Sequence, residues 1–306
     1  MSWFAPPEPI ATRVLFRLPP AFQHPVRSDW ADANRAGVAI GSFLEGPTFG
    51  PDGTLFVVDI PHGRVFAITP SGDWRLVAAW DGWPNGLARL PNGHLLVADY
   101  RRGLLRLDPS DGSLTPVLTH VRSESFKGLN DLVLARDGTV YITDQGQTGL
   151  QDPTGRVYRL CPDGRVERLL DTGPSPNGIA LDPAERHLFV AMTRACQVWR
   201  TAVTADAVLA KVNCFAHTPG GTSGPDGLAM LADGGLAIAN PGHGCVWVVS
   251  PTGVPRWVLP SCAGSAVTNL AFDPADPHRL VITESETGTI LEARLPVPGH
   301  PCGVAG

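Results

Sequence analysis

Six similar segments recur along this 306-residue chain, and their spacing constrains the fold more than any other feature. Each segment starts with an acidic or amide residue, runs through small apolar residues, turns, and returns in a second apolar run. The six copies begin, at intervals of 40 to 49 residues, at Glu45, Asn85, Asn130, Asn177, Asp226 and Asn269. Strand-rich repeats of roughly this length are typical of propeller blades. The sequence therefore predicts an all-β, six-bladed β-propeller with four antiparallel strands in each blade.

The two ends of the chain are predicted to complete one blade together. The last repeat supplies a third strand at Thr289–Leu295 but no fourth, whereas the segment from Arg13 to Leu18 reads as a strand outside the repeats. Pairing these two strands would close the ring and remove two exposed sheet edges. We therefore expect one domain over residues 1–306, with a closing strand and covering loop in 1–44 and six blades in 45–296.

Composition and charge exclude several functional classes. Hydrophobic residues make up 43% of the chain, which is enough for a sizeable core, and the net charge is −5 with scattered basic residues. Nucleic-acid binding would need clustered Lys and Arg. The apolar runs have strand length, which argues against a transmembrane helix, and the first residues lack a signal-peptide pattern. We expect a cytoplasmic protein with no nucleic-acid or membrane partner. The sequence does not indicate an oligomeric state.

The cysteines give no indication of a metal or redox motif. All six lack CxxC spacing. In a chain of this size without a signal peptide, they are expected to be reduced and mostly buried thiols.

The first residue of every repeat carries a side-chain oxygen. In a propeller the innermost strand of each blade runs along the central channel, so these six positions should converge at one of its ends. Two carboxylates and four amides, without Cys or His, form a hard-oxygen environment. Such a set suits Ca²⁺, accepts Mg²⁺ or Mn²⁺, and is a poorer match for Zn²⁺.

The same residue types also permit a purely structural interpretation. Asn and Asp before Gly are ordinary turn residues, and a ring of amides can hydrogen-bond strand ends across a water-filled channel. The residue types alone leave both interpretations open.

Five short motifs, in this order and at these spacings, resemble a known family. They are Leu44-Glu45-Gly46-Pro47, Leu129-Asn130-Asp131, Tyr141-Ile142-Thr143-Asp144, Pro176-Asn177-Gly178-Ile179-Ala180 and Pro225-Asp226-Gly227. Over roughly residues 40–296 the chain is similar to the senescence marker protein, gluconolactonase and luciferin-regenerating enzyme family. That resemblance implies a six-bladed propeller with one divalent cation, usually calcium, in the channel.

The resemblance also implies ligands and a reaction. The metal ligands would be Glu45, Asn130, Asn177 and Asp226, while Asn85 and Asn269 would line the channel. The implied activity is hydrolysis of a small lactone, a cyclic ester of a sugar acid or a related compound. Related propellers hydrolyse organophosphates.

A carboxylate beside such a cation can serve as the general base. Asp226 is our first choice for this catalytic role, and Glu45 is the alternative. The candidate substrate contacts are Asn130, Asn85, Lys127, Arg101, Gln145 and His243.

One departure concerns substrate choice. Some sugar-lactone members have an Arg two residues before the third-repeat Asn, where this chain has Gly128. This departure bears on the sugar-acid specificity more than on the lactone chemistry. Three functions stay open. They are a lactonase, a phosphotriester hydrolase or other esterase, and a binding propeller whose cation is structural.

Overall fold

The fold is that of a six-bladed β-propeller, seen in a computed structural model that describes residues 5–204 and 211–300. Each blade is a sheet of four antiparallel strands that meander outwards from the channel. Blades 1 and 2 comprise Leu44–Phe49, Leu55–Asp59, Arg64–Ile68 and Trp74–Ala79, then Pro84–Arg89, Leu95–Asp99, Gly103–Leu107 and Leu114–Leu118. Blades 3 and 4 comprise Leu129–Leu134, Val140–Asp144, Gly155–Leu160 and Val166–Gly173, then Pro176–Leu181, His187–Met192, Gln197–Ala202 and Asn213–His217. Blades 5 and 6 comprise Leu228–Met230, Leu236–Asn240, Cys245–Val249 and Pro255–Pro260, then Val267–Phe272, Arg279–Glu284, Thr289–Arg294 and Arg13–Arg17.

The predicted closure of the ring is confirmed. Arg13–Arg17 pairs antiparallel with Thr289–Arg294 and forms the outermost strand of blade 6. The Arg13 guanidinium also donates to the Glu292 carboxylate at 2.5 Å across this pair. The first and last parts of the described chain therefore share one sheet.

Turn chemistry explains the hairpins between the first and second strands. The Asp137 carboxylate accepts a hydrogen bond from the Thr139 backbone N–H at 2.8 Å, an Asx turn. Gly138, between them, has a φ of +88°, a value that L side chains rarely adopt. Asp52 and Asp233 accept equivalent bonds two residues on, so the turns recur with the repeat.

The core lies between neighbouring blades. The second strand of blade 1, Leu55–Asp59, is buried at every position, as are those of blades 2 and 3. A strand covered on both faces needs a nearly continuous apolar run, which accounts for sequences such as Leu55-Phe56-Val57-Val58.

The segment before blade 1 is more ordered than the predicted covering loop. It contains a 3₁₀ turn at Pro20–Phe22 and a six-residue helix, Asp29–Asn34. The Ser28 hydroxyl accepts from the Ala31 backbone N–H and caps this helix. Trp30 is buried, with its ring centroid 4.7 Å from that of Phe43.

Several minor elements fall outside the blade repeat. Glu8–Pro9 adds a parallel strand to the outer edge of blade 5, and a small hairpin follows blade 2. The hairpin strands and the remaining 3₁₀ turns are His120–Val121, Glu124–Ser125, Ile60–His62 and Thr193–Ala195. Among the described residues, no helix has the length and apolar character needed to cross a membrane.

The expectation that most cysteines are buried is wrong. The five in the described ranges are free thiols, but Cys214 and Cys262 are exposed and only Cys245 is fully buried. The exposed pair occupies outer positions: Cys214 lies in the outermost strand of blade 4, and Cys262 follows that of blade 5. Cys302 lies outside the described residues.

Candidate functional site

The residue that follows each ring position explains how the ring is packed. In four of the six repeats it is glycine. A Cβ atom on Gly46 would lie 2.4 Å from the Asn85 carbonyl oxygen, and one on Gly178 would lie 2.1 Å from the Asp226 carbonyl oxygen. Only glycine therefore allows the first strands of adjacent blades to approach so closely. The Asn-Gly pairs are packing positions at the channel rather than turns.

Contacts between successive blades close this ring. Gly86 packs against Asn130 and Asp131, and Gly227 packs against Asn269. Between blades 3 and 4, the Ile179 backbone N–H donates to the Asp131 carboxylate. Between blades 6 and 1, the Asn269 amide donates to Glu45 Oε2 at 2.8 Å. The six repeat positions therefore surround one end of the central channel.

Two of the carboxyl groups in this ring repel each other. Burial raises the pKa of Glu45 to about 7, although hydrogen bonds from the Gly46 backbone and the Asn269 amide act to lower it. Burial raises the pKa of Asp226 well above its usual value, and the negative charges of Glu45 and Asp131 raise it further. Like charges enclosed in this way stabilise each other's protonated form. The pair has the electrostatic character of a cation site.

A third buried carboxyl, Asp131, was not predicted from the sequence. Burial raises its pKa to about 7. Asp131 occupies the second position of its repeat, where four other repeats have glycine. Comparing only the first positions of the repeats therefore misses it. Asp131 and Asn269 border a cavity of about 200 Å³ among the innermost strands.

A chain of side-chain hydrogen bonds fixes the Asn130 amide. Asn130 Nδ2 donates to Gln145 Oε1 at 2.8 Å, and Gln145 Nε2 donates to Ser175 Oγ at 2.9 Å. Because the Asn130 nitrogen is engaged, its Oδ1 remains available as a ligand atom. Ser175 has a φ of +66°, and its backbone N–H donates to the Thr148 hydroxyl at 3.2 Å.

The other ring amides also have defined partners. An Asn177 side-chain hydrogen bond lowers the pKa of Asp226, opposing the effect of burial. Asn85 Nδ2 donates to the Trp83 carbonyl at 2.9 Å.

A polar cavity of about 350 Å³ is connected to the ring through two of its lining residues. Its wall includes Gln145, which bonds Asn130, and Arg194, whose charge lowers the pKa of Asp226. The complete lining is Asn34, Gln145, Gly146, Gln147, Thr148, Leu150, Gln151, Ser175 and Arg194. All but two of these residues offer a side-chain hydrogen-bonding group, so the cavity suits a polar ligand.

The other candidate substrate contacts lie outside this cavity lining. Arg101 donates to Asp81 at 2.8 Å, and its guanidinium lies over the Trp83 ring. Lys127 Nζ lies 4.0 Å from Asp152 Oδ2, and its Cβ packs against Gly146. His243 Nε2 lies 2.6 Å from the Gly220 carbonyl oxygen.

Sequence reasoning missed Asn34, Ser175 and Arg194. Blade register could have indicated Arg194, because it follows the second strand of blade 4 much as Gln145 follows that of blade 3. Asn34 comes from the helix before blade 1, and no pattern in the repeats points to it.

The donor set accommodates a hard divalent cation only if the amides take part. Within residues 5–204 and 211–300, no three His, Cys, Asp or Glu side chains are grouped to hold a metal ion. Glu45 and Asp226 have no ion-pair partner in those ranges. Two carboxylates with the oxygens of Asn130 and Asn177 form the oxygen-rich set that Ca²⁺ prefers. The residues present therefore fit such an ion.

Comparison with known proteins finds relatives that match this chain over most of its length. The gluconolactonase of Zymomonas mobilis is 28% identical over 240 residues, which cover 72% of this chain and 65% of that protein. The aligned part thus spans slightly less than two thirds of that relative.

Two solved structures share the whole architecture. A gluconolactonase from Xanthomonas campestris superimposes with a TM-score of 0.74 at 26% identity, over 93% of this chain and 99% of that one. A calcium-binding protein, regucalcin, from Agrobacterium tumefaciens gives a TM-score of 0.77 at 22% identity, over 99% of this chain and 100% of that one.

A family model covers most of the blades. The SMP-30/gluconolactonase/LRE-like region matches residues 43–286, from the start of blade 1 to the end of the second strand of blade 6. The chain therefore belongs to the SMP-30/gluconolactonase/LRE-like family.

Proposed function

We propose that this protein is a metal-dependent hydrolase that opens a small lactone. The observation that carries the proposal is the enclosed pair of Glu45 and Asp226 in the amide ring, next to a polar cavity. Family membership and the gluconolactonase relatives support the same reaction class.

The ion would be held by Glu45, Asn130, Asn177 and Asp226, and Ca²⁺ best matches their oxygens. When bound, a divalent cation of this kind polarises the ester carbonyl and stabilises negative charge on its oxygen.

Asp226 is the proposed general base, with Glu45 as the alternative. Asp226 is half-buried rather than fully buried, so its carboxylate can take a proton from water. The water oxygen bonds to the carbonyl carbon, the ring C–O bond breaks, and the ring oxygen leaves with a proton as a hydroxyl group. The product is one hydroxy acid for each lactone and water consumed. Gln145 holds Asn130, and the Asn269 amide holds Glu45, so the ring keeps its shape during the reaction.

The test is a panel of sugar lactones, aromatic lactones and a phosphotriester, assayed with and without chelator. Hydrolysis of a lactone that stops with chelator and returns with Ca²⁺ is the expected result. Turnover of the phosphotriester alone would favour the phosphotriesterase alternative. Metal-dependent stability without hydrolysis of any substrate would favour a binding propeller.

A single substitution tests the base. Asp226→Asn should abolish turnover while the protein stays folded, because an amide cannot accept the proton. Asp233→Asn is the matched control, since Asp233 lies in a turn of the same blade and pairs with Arg256. Full activity of Asp226→Asn with normal metal content would contradict the assignment.

A further inference from the structure

Arg194 places a positive charge in the cavity wall, where it lowers the pKa of Asp226 but forms no salt bridge among the described residues. It is exposed, and no hydrogen bond or ion pair engages its guanidinium within residues 5–204 and 211–300. Three other arginines, by contrast, each contact a carboxylate. Arg101 and Arg102 share Asp81, and Arg156 contacts Glu124.

The backbone around Arg194 is firmly attached to the candidate site. The neighbouring Thr193 is buried, and its hydroxyl donates to the Pro225 carbonyl at 2.8 Å, one residue before Asp226. A Cβ atom on Gly224 would lie 1.9 Å from the Thr193 carbonyl oxygen, so the two segments are in close contact. The base of the Arg194 side chain is thus fixed relative to the ring.

The rest of the cavity lining supplies hydrogen bonds but no negative charge. Its members are amides, hydroxyls, one glycine and one leucine besides Arg194. A guanidinium in this setting binds carboxylate or phosphate oxygens through paired N–H donors. A cation bound in the ring would offset the charges of Glu45 and Asp226, leaving Arg194 with no counter-charge.

Resting on the proposed lactonase function, we propose that the substrate is a lactone with an anionic substituent outside its ring, and that Arg194 binds this substituent. A neutral lactone of the same ring would leave Arg194 unpaired. Arg194 is then a specificity residue in the wall of this cavity.

The kinetic test compares a five-membered aldonolactone with the matching lactone whose terminal CH₂OH is a carboxylate. A second pair replaces the carboxylate with a phosphate ester and so distinguishes the two anions. Wild-type protein should prefer one anionic member in kcat/KM. Arg194→Gln should lower that kcat/KM by about 10-fold to 100-fold, in line with a charge-assisted hydrogen-bond pair. Any loss that comes from Asp226, whose pKa the Arg194 charge lowers, should be shared by the neutral lactone, so the ratio of anionic to neutral kcat/KM is the quantity that reports the subsite.

Arg102→Gln is the control, since it removes an exposed arginine charge that is already paired with Asp81. Arg194→Lys should retain part of the preference, and the preference should weaken as salt is added. An unchanged ratio of anionic to neutral kcat/KM in Arg194→Gln, or an equal loss in Arg102→Gln, would overturn the proposal.

A binding measurement decides the question independently of turnover. Calorimetry with Ca²⁺ present would compare the open-chain hydroxy monoacid, diacid and phosphorylated acid, which correspond to the products. Tighter binding of the diacid or the phosphorylated acid to wild type, lost in Arg194→Gln, supports the subsite even if no lactone is hydrolysed. Equal binding of all three acids to both proteins would refute it. Absence of lactone hydrolysis alone would refute only the proposed function.

Discussion

Gly178→Ala is the sharpest test of how the ring is held together. The added methyl carbon would lie 2.1 Å from the Asp226 carbonyl oxygen and 2.8 Å from Gly227 Cα. Favourable non-bonded contacts lie at roughly 3.5 Å, so the two backbones would have to separate by more than about 1 Å. Both backbone segments lie at the start of innermost strands that are packed between other blades. Neither can rotate away as a side chain would.

The cost follows from this geometry. Overpacking a well-filled interior typically destabilises by about 1–3 kcal/mol, and a backbone obstacle places Gly178→Ala at the upper end of that range. The separation would also move the Asp226 carboxylate away from Asn177. Because a displacement of about 1 Å can reduce turnover about 100-fold, we expect loss of lactonase activity together with weaker Ca²⁺ binding.

The assay is urea unfolding at equilibrium, combined with Ca²⁺ calorimetry on the same preparation. Gly220→Ala is the matched control, since a Cβ there has no heavy atom within 4 Å and its φ lies outside the left-handed region. The control should stay within about 0.5 kcal/mol of wild type. Wild-type stability and Ca²⁺ affinity in Gly178→Ala, or an equal loss in Gly220→Ala, would refute the close-packing account.

Two further predictions concern side chains. Gln145→Leu should weaken Ca²⁺ binding about 10-fold to 100-fold, because Asn130 loses the acceptor that orients its amide. Calorimetry checks this against Gln151→Leu, which lines the same cavity without a hydrogen bond to the ring, and equal affinities would contradict it. Burial raises the pKa of the Cys245 thiol to about 11, so at pH 8 it should stay unmodified by a disulfide reagent while exposed Cys262 reacts. Time-resolved thiol titration with peptide mapping measures both rates, and rapid labelling of Cys245 in the folded protein would be the contrary result.

The blades could be predicted from sequence because the signal is repeated. One hairpin starting at Asp226 is ambiguous, but six hairpins in register determine the architecture and the residues at the channel. The observed strand limits agree with those expected from the sequence, as at Arg64–Ile68. Each turn and apolar run occupies an equivalent position in every copy.

The cavity wall could not be predicted in the same way. Its residues come from connections that differ between blades, so the repeat gives no register for Gln147 or Gln151. The helix Asp29–Asn34 is too short for an apolar periodicity to show, and its cap at Ser28 is visible only once the helix is known. Asp131 replaces a glycine, and its burial depends on contacts from blade 4.

Ring closure sets the order of events during synthesis. The strand Arg13–Arg17 must wait for its partner, because Arg13 and Glu292 are 279 positions apart. A ribosome adding about 5–20 residues each second would therefore leave this strand without its partner for about 14–56 s. During that interval Thr289–Arg294 has not been completed, and Arg13–Arg17 has no native partner. A similar strand from a neighbouring nascent chain could pair there instead, so co-translational crowding is the condition under which this propeller is most exposed to strand exchange.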